Sequence, residues 1–265
     1  MNLQESRVLL TGAAGGIGAA LANRLVQRGA HLVLLGRDEK ALAALAERLR
    51  VAGQPVHALP VDLLDPLARQ LAVAHSIELL GGVDLLINCA GLSSFRPFPD
   101  EAEQHIEHIV QLNLLTPMLL ARQLLPGMLA RGQGRIVNIG STFGSIGFAW
   151  FTAYSASKFG LRGFSEALRR ELDGTGVGVT YVAPRAVKTG FNTSAVYRMA
   201  EEVKMHMDAP DWVAEKIVAA IETDAKDLYL GFPEKLFARL NGFIPRFIDG
   251  GLRRQNRLME RFARS

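Results

Sequence analysis

The chain has 265 residues, of which 49% are hydrophobic and 21% charged, and it carries a net charge of +4 and a single cysteine. This composition is typical of one soluble α/β domain with a large core, and the lone Cys89 excludes an internal disulfide framework. Residues 1–6 are polar, so we expect no signal peptide. No apolar run reaches the roughly 18 residues of a membrane-spanning helix. We therefore expect a cytoplasmic protein.

Seven short apolar segments alternate along the chain with segments of helical periodicity. The predicted strands are Arg7–Leu10, His31–Leu35, Val56–Pro60, Val83–Asn88, Arg135–Ile139, Val177–Ala183 and Asp227–Leu230. The predicted helices cover 16–28, 39–52, 66–80, 101–131, 153–174 and 210–223. This alternation indicates an α/β fold, a doubly wound (Rossmann) seven-stranded parallel sheet with helices on both faces. Ligands of such sheets bind beyond the carboxyl ends of the strands, so one crevice could collect Gly12, Asp62, Asn88, Ser141 and Pro184.

A glycine-rich turn follows the first predicted strand at once. Residues 11–18 read Thr-Gly-Ala-Ala-Gly-Gly-Ile-Gly, and a helical pattern begins within them. Glycine permits positive φ and close approach of the main chain, and the amino terminus of a helix attracts negative charge. The turn therefore predicts a pyrophosphate site, although a glycine-rich turn without function is the alternative. The spacings Gly12/Gly15/Gly18 and Gly12/Gly16/Gly18 are both present.

A second motif lies in the predicted helix 153–174. Tyr154 and Lys158 are four residues apart, so on a helix they project from one face, and Ser141 precedes Tyr154 by thirteen positions. A free phenol has a pKa of about 10, and a nearby cation favours its ionised form. We therefore expect Lys158 to lower the pKa of Tyr154 and to make this residue a proton donor or acceptor. The alternative is a surface tyrosine and lysine on an amphipathic helix.

With these motifs the chain resembles the classical short-chain dehydrogenase/reductase family from about residue 5 to about residue 231. The glycine turn is similar to the family's cofactor turn, and Asn88-Cys89-Ala90-Gly91 is similar to its Asn-Asn-Ala-Gly segment. The places of the family's catalytic tetrad are occupied by Asn113, Ser141, Tyr154 and Lys158. The chain length and the interval between Ser141 and Tyr154 fit the classical form better than the extended form, whose turn uses the Gly12/Gly15/Gly18 spacing.

The resemblance implies a nicotinamide dinucleotide cofactor and no metal ion. The implied cofactor contacts are Gly12, Gly16, Ile17, Gly18, Asp62, Leu63, Asn88, Ala90, Gly91, Tyr154, Lys158, Pro184 and Thr189. Two of these have other interpretations, because Asp62 could be a strand-end turn residue and Thr189 the N-cap of a following helix.

The end of the second predicted strand favours one of the two nicotinamide cofactors. A carboxylate there would bind the ribose of NAD and repel a 2′-phosphate. Gly36 stands at that place and is followed by Arg37, whose planar guanidinium suits a phosphate. We therefore expect NADP (NADPH), with NAD less favoured. Asp38 fits a helix N-cap better than ribose binding, and a mere surface charge is the alternative for Arg37.

The resemblance implies hydride transfer between the nicotinamide and a carbon that bears oxygen. Ser141 would bind the substrate oxygen, and Tyr154 would transfer the proton. Lys158 would hold the nicotinamide ribose, and Asn113 would support a water unless it simply caps or kinks its helix. Arg185 replaces the family's usual glycine after Pro184, which could alter the local backbone or add a positive group to the pocket. A non-catalytic dinucleotide-sensing or scaffold protein of the same fold is the alternative function.

Two segments rich in aromatic and methionine residues, 142–151 and 190–207, should line the substrate pocket. They favour an apolar small-molecule ketone or alcohol, although core or subunit packing would explain many of them equally well. We also expect a homodimer or homotetramer.

The carboxyl-terminal residues lie outside the resemblance, so we divide the chain into a dinucleotide-binding and catalytic Rossmann domain, 1–233, and an extension, 234–265. The extension carries eight basic residues against three acidic ones, whereas residues 1–233 have a net charge of −1. Its apolar residues recur at roughly helical spacing, interrupted at Pro245. We expect it to pack on the same domain or on a neighbouring subunit, and the alternative is peripheral contact with an anionic membrane. Nucleic-acid binding is not expected, because the extension lacks a reading motif.

Overall fold

The structure is a computed structural model that describes residues 1–50, 53–232 and 234–264. Seven strands form one sheet in the order β3-β2-β1-β4-β5-β6-β7, and every neighbouring pair is parallel. The strands are β1 (Arg7–Thr11), β2 (His31–Gly36), β3 (Val56–Pro60), β4 (Leu85–Asn88), β5 (Gly134–Ile139), β6 (Val177–Ala183) and β7 (Asp227–Tyr229). The predicted α/β fold with a seven-stranded parallel sheet is confirmed, with strand ends within two residues of the prediction.

The helices within the described ranges are α1 (Gly16–Gln27), α2 (Glu39–Arg50), α3 (Pro66–Leu80), α4 (Glu103–Val110), α5 (Thr116–Ala130), α6 (Thr152–Glu171), α7 (Ser194–Glu202), α8 (Pro210–Glu222), α9 (Glu234–Asn241) and α10 (Pro245–Ala263). The last two residues of the predicted helix 39–52 lie outside the described residues. Across the parts of the chain that are described, no helix has the length and apolar character needed to cross a membrane.

Alternate residues of the central strands face two separate cores, which is why these strands are apolar throughout. Val8 and Leu10 of β1 pack on the face covered by α1, α2 and α8, whereas Leu9 packs on the face covered by α3, α5 and α6. Both faces of the sheet are therefore buried, as expected for parallel strands joined by helices.

The direction of the strand order changes at β1, which lies between β2 and β4. Thr11 joins these elements at their carboxyl ends, because its Oγ1 accepts hydrogen bonds from the main-chain N–H groups of Cys89 at 3.0 Å and Ala90 at 3.1 Å. The glycine turn after β1 and the loop after β4 thus lie side by side. This is the place in a doubly wound sheet where ligands bind.

The segment predicted to be helical over 101–131 is helical from Glu103 to Ala130, but it is not one regular α-helix. A short 3₁₀ turn covers Phe98–Asp100, and a π-helical turn, Gln111–Leu115, separates α4 from α5. Asn113 lies within the π turn, and its carboxamide bonds both main-chain groups of Leu92, at 2.8 Å each. The π turn therefore contains the buried Asn113 side chain, which links this helical segment to the loop after β4.

Helix α7 lies in the segment 190–207, which we predicted to line the pocket and to which we assigned no helix bounds. Thr193 is its N-cap and accepts a hydrogen bond from the N–H of Val196 at 3.3 Å. Val196, Met199 and Ala200 are buried at helical spacing, which explains the helix. Thr189 is therefore not the N-cap that we considered, and its Oγ1 accepts a hydrogen bond from the N–H of Phe191 at 3.3 Å in the preceding turn.

The extension forms α9 and α10, separated just before Pro245, and both contact the same chain. The Asn241 side chain donates to the carbonyl of Ser145 at 2.9 Å, and Trp150 Nε1 donates to the carbonyl of Asn256 at 3.0 Å. The buried Met259 packs with α7. Pro233, where the predicted boundary between the two parts falls, lies outside the described residues.

Candidate active site

A cavity of about 1170 Å³ opens at the carboxyl ends of the strands. It runs from the glycine turn, past the start of α6, to the aromatic segment after β5 and to the extension. Of the residues that the sequence predicted for the site, it is lined by Gly12, Gly16, Ile17, Gly18, Arg37, Ala90, Gly91, Ser141, Tyr154, Lys158, Pro184 and Thr189. One crevice therefore brings together most of the predicted residues.

The glycine turn is closely packed at the three positions assigned to the cofactor. Gly12 has φ of +64°, and a Cβ there would lie 2.7 Å from the Cα of Ala90. A Cβ on Gly16 would overlap the Thr189 side chain, and one on Gly18 would overlap the carbonyl of Gly12. A Cβ on Gly15 would only approach the same carbonyl, at 3.2 Å. This crowding favours the Gly12/Gly16/Gly18 assignment.

The same turn fits a pyrophosphate. Helix α1 begins at Gly16, its N-cap residue Gly15 is extended, and its first turn contains no acidic residue. Free N–H groups and the positive end of the helix dipole at this place attract a phosphate, and the absence of side chains lets it approach. Gly16, Ile17 and Gly18 would therefore hold the phosphates of a dinucleotide.

The end of β2 presents a cation to the same crevice. Arg37 is exposed, lines the crevice, and makes no ion pair with the residues that the structure describes. Asp38 accepts a hydrogen bond from the N–H of Ala41 at 3.0 Å, so the N-cap interpretation of this carboxylate is confirmed. Arg37 is thus available to a ligand phosphate, while one oxygen of Asp38 is engaged by its own helix.

Ser141, Tyr154 and Lys158 meet in the middle of the crevice, where all three are buried. Lys158 and Tyr154 lie on one face of α6, with the ammonium nitrogen 5.7 Å from the centre of the phenol ring. The ammonium donates to the carbonyl of Ile139 at 2.9 Å. Ser141 lies two residues after the end of β5, and its side chain is close enough to the Tyr154 hydroxyl to lower the pKa of that phenol. A phenol, a hydroxyl and a cation therefore converge from two adjacent elements of the fold.

Burial has the largest effect on the protonation of Tyr154 and Lys158. It raises the pKa of Tyr154 to about 12, and the hydrogen bond from Ser141 offsets only part of that increase. It lowers the pKa of Lys158 to about 8. The expectation that Lys158 brings the pKa of Tyr154 below its ordinary value is therefore wrong, because burial of the phenol has the largest effect on this pKa and raises it. Near pH 7 this site holds a neutral phenol beside an ammonium group that is largely protonated.

Four predicted residues do not line the crevice. Asp62 is exposed and accepts a hydrogen bond from the N–H of Leu64 at 3.0 Å, which fits the strand-end turn interpretation, and Leu63 is buried beside it. Asn88 is buried and donates to the side chain of Asn138 at 2.8 Å. Asn113 bonds Leu92 and Ser157 rather than Lys158. The cofactor and catalytic roles of these four residues stay predictions.

Arg185, which stands where the family has glycine, turns toward the loop before α8. Its guanidinium binds both carboxylate oxygens of Asp208, at 2.9 and 3.0 Å. Asp208 is in turn tied by main-chain hydrogen bonds to Ala186 and Lys188. An added positive group was one of the two consequences that we considered for Arg185, and that charge is partly neutralised by the buried carboxylate of Asp208. The ion pair links the segment before α7 to the loop before α8.

Cys89 borders the crevice as a free thiol. Burial raises the pKa of this thiol to about 12, so it stays protonated at neutral pH and is a poor nucleophile. A structural role therefore suits Cys89 better than a nucleophilic one.

The far end of the crevice is apolar and aromatic. The rings of Phe143 and Phe148 stack with centres 4.3 Å apart, and Phe143 lies edge-on to Phe151 at 5.0 Å. The extension completes this wall. We did not predict that it would line the crevice, although the helical spacing of its apolar residues indicated that one of its faces would be buried. Its lining residues are Phe237, Ile248, Gly251, Leu252 and Gln255.

Comparison with known proteins agrees with this geometry. Residues 6–199 match the family described as short chain dehydrogenase. The ketoacyl reductase HetN of Nostoc sp. (strain PCC 7120) is 36% identical over 227 residues, which are 85% of this chain and 78% of the relative.

Solved structures show the same fold. A short-chain dehydrogenase from Sphingobium yanoikuyae in complex with NADPH has a TM-score of 0.79 at 29% identity, covering 92% of this chain and 95% of that one. A short chain dehydrogenase/reductase from Burkholderia phymatum in complex with NAD has a TM-score of 0.85 at 24% identity, covering 94% and 96%. Together with the family match, these likenesses establish that the chain belongs to the classical short-chain dehydrogenase/reductase family.

Proposed function

We propose that this protein is an NADP(H)-dependent oxidoreductase that interconverts a carbonyl and an alcohol on an apolar small molecule. The observation that carries the proposal is the single crevice that has a glycine cradle at one end and an apolar wall at the other. Ser141, Tyr154 and Lys158 lie between the two ends. A dinucleotide in the cradle and an apolar substrate against the wall would therefore meet at the phenol.

Each polar side chain has a distinct task in the proposed reaction. The bound nicotinamide would supply or accept the hydride. Ser141 would donate a hydrogen bond to the substrate oxygen, and the Tyr154 hydroxyl would give that oxygen its proton in reduction. Lys158 would stabilise the phenolate left behind and hold the nicotinamide ribose. Ile139 fixes the lysine by accepting a hydrogen bond from its ammonium group.

The charges of the site suit reduction of a carbonyl near neutral pH. With a pKa of about 12, Tyr154 is protonated and able to donate. In the opposite direction the residue must first lose its proton, which its burial disfavours. We therefore propose carbonyl reduction as the faster direction at pH 7.

NADPH is the proposed cofactor because Arg37 borders the crevice without an ion-pair partner in the described chain. Its guanidinium would bind a 2′-phosphate in bidentate fashion. The S. yanoikuyae dehydrogenase was solved with NADPH and the B. phymatum protein with NAD, so both cofactors occur on this fold. The arginine is the feature of this chain that favours the phosphorylated form.

An apolar ketone is the proposed substrate, since aromatic rings and aliphatic residues of the extension line the far end of the crevice. The description of HetN as a ketoacyl reductase is compatible with a carbonyl on an apolar chain. We propose that α9 and α10 pack on the Rossmann domain of their own chain and supply one wall of this site. Gly251 lies on that wall with open space around it, which leaves room for a bulky group.

The proposal is tested by following NADPH absorbance with a panel of apolar and small charged ketones. Wild-type protein should oxidise NADPH with the apolar ketones and should use NADH poorly. A preference for small charged ketones would contradict the proposed substrate. Tight NADPH binding without oxidation by any carbonyl compound would favour the alternative of a non-catalytic dinucleotide sensor.

Peripheral membrane contact is a second proposal for the extension. Phe243 of the extension is 86% exposed, and Phe232, which lies just before the extension and borders the crevice, is 77% exposed. Arg246, Arg253 and Arg257 follow at spacings of seven and four residues, so α10 presents them on one face. All three are exposed and form no ion pair within the described ranges. An apolar substrate could then enter from an anionic lipid surface.

Sedimentation with vesicles of neutral and anionic lipid tests this contact. The wild type should sediment with anionic vesicles at low salt, and replacement of the three arginines by glutamine should abolish sedimentation without changing ketone reduction in solution. Equal recovery of wild type and variant in the supernatant would show that the extension serves packing alone.

A further inference from the structure

Tyr181 lies at the centre of the fold, directly beneath the main chain of Ser141. It belongs to β6 and is fully buried. Its hydroxyl donates to the carbonyl of Ser141 at 3.1 Å and accepts from the N–H of Ser141 at 3.4 Å. One phenol therefore contacts both main-chain groups of the residue that carries the substrate-binding hydroxyl.

The chain around Ser141 is shaped to accommodate this phenol. A Cβ on Gly140 would overlap the ring, and a Cβ on Gly144 would overlap the hydroxyl. The loop therefore lies against the tyrosine with no space for a side chain at either glycine, and Gly144 also packs against the carbonyl of Lys158. The position of Ser141 is thus coupled to the presence of Tyr181.

Tyr181 stays a neutral donor over the working pH range, because burial raises its pKa far above neutrality. Ser141 itself is extended, with φ of −166° and ψ of 160°, and its Oγ accepts a hydrogen bond from the N–H of Phe143 at 3.1 Å. The hydroxyl of Ser141 is therefore oriented from two sides, by its own 3₁₀ turn and by the tyrosine below.

We propose that Tyr181 is a positioning residue that fixes the main chain of Ser141 so that the serine hydroxyl points to Tyr154 and the substrate oxygen. This inference rests on the proposed carbonyl reduction. A misplacement of about 1 Å at a reacting group costs on the order of 100-fold in rate. Loss of one anchoring hydroxyl should therefore slow turnover while cofactor binding, which uses the other end of the crevice, is preserved.

Tyr181→Phe removes the hydroxyl and keeps the ring that fills the space. We expect kcat for ketone reduction to fall about ten- to hundredfold, with the KM for NADPH within about twofold of wild type. Tyr229→Phe is the matched control. The two rings lie 6.2 Å apart, and the Tyr229 hydroxyl contacts Ser145 at 3.0 Å rather than Ser141. This control should keep nearly full kcat.

The decisive experiment repeats Tyr181→Phe in a Ser141→Ala background. If Tyr181 acts through the serine hydroxyl, it should cause no further loss once that hydroxyl is gone. An equal loss in both backgrounds, or full activity of Tyr181→Phe alone, would overturn the positioning role while leaving the proposed function intact. A wild type that reduces no ketone would overturn both. Thermal unfolding of each variant separates misfolding from loss of rate.

Discussion

The two ends of the crevice are built in different ways. At the cofactor end the wall is main chain, formed by a glycine turn and by loops that follow adjacent strands, and a side chain at Gly12 would be overpacked against Ala90. At the substrate end the wall is made of side chains from the segment after β5, from α7 and from the extension. The loops at the carboxyl ends of the strands therefore determine where the dinucleotide would lie. The segment after β5, α7 and the extension determine which substrate would fit beside it.

Tyr154 stands where the two ends meet, so its replacement should have the largest effect. We expect Tyr154→Phe to lower kcat for ketone reduction by about 10²–10⁴-fold, because the acid that protonates the substrate oxygen is lost. NADPH binding, measured by quenching of protein fluorescence, should change little. Comparable turnover by this variant would show that the proton comes from another group.

NADPH binding at the cofactor end can be weakened separately with Gly12→Ala. The added Cβ would lie 2.7 Å from the Cα of Ala90, and we expect a ten- to hundredfold loss of NADPH affinity from an overpacking cost of roughly 1–3 kcal/mol. Gly132→Ala is the matched control, since Gly132 has nearly the same φ, +62°, with open space around it. The control should lose some stability and no affinity. Equal loss of NADPH affinity in both variants would contradict the proposal that the glycine turn binds the cofactor.

The choice between NADPH and NADH is a second test of the cofactor end of the crevice. Arg37→Ala should reduce the preference for NADPH over NADH by about tenfold to a hundredfold, as expected when a hydrogen-bonded charge partner of a phosphate is removed. Arg48→Ala serves as the control, because Arg48 is an exposed arginine of α2 that does not border the crevice. An unchanged preference in Arg37→Ala would place the 2′-phosphate elsewhere.

The pH dependence tests the group between the two ends. Lys158 has a pKa of about 8 and Tyr154 one of about 12, so the charged lysine is lost first as the pH rises. Reduction should be constant below pH 8 and fall about tenfold per pH unit above it, because the cation that stabilises the phenolate disappears. A rate of reduction that increases between pH 8 and 10 would contradict these assignments.

The substrate end should show the smallest and most selective effect. Gly251→Phe projects a ring from α10 into open space of the crevice, and we expect the KM of a bulky ketone to rise several-fold while that of a small one is unchanged. Gly250→Phe is the control, since it adds the same ring to the same helix at a residue that does not line the crevice. Equal KM values of the bulky ketone in the two variants would contradict the assignment of Gly251 to the substrate wall.

The same contrast explains what the sequence could predict. The alternation of apolar and helical segments, the glycine turn and the spacing of Tyr154 and Lys158 are all local patterns. The first predicted the fold, and the other two predicted residues that line the crevice. The wall formed by the extension depends on contacts such as that of Trp150 with Asn256, separated by 106 residues, which no local pattern encodes. The bounds of helix α7 were not predicted, because only three of its residues are buried and its N-cap is Thr193 rather than Thr189.

Two further differences between prediction and structure have physical causes. The direction of the Tyr154 pKa depends on burial, which spacing alone does not reveal. Tyr181 escaped notice because a tyrosine in a buried strand is normally core packing, and only its two contacts with Ser141 distinguish it.

The central claim is that one crevice holds a nicotinamide cofactor and a carbonyl carbon side by side at Tyr154. The most direct test is a single turnover with NADPH carrying two deuterium atoms at C4 of the nicotinamide and an apolar ketone, followed by mass spectrometry of the product. Our account predicts one deuterium on the carbon that bears the new hydroxyl, with much slower transfer in Tyr154→Phe. Stable binding of both molecules with no transfer of the label in wild-type protein would contradict it.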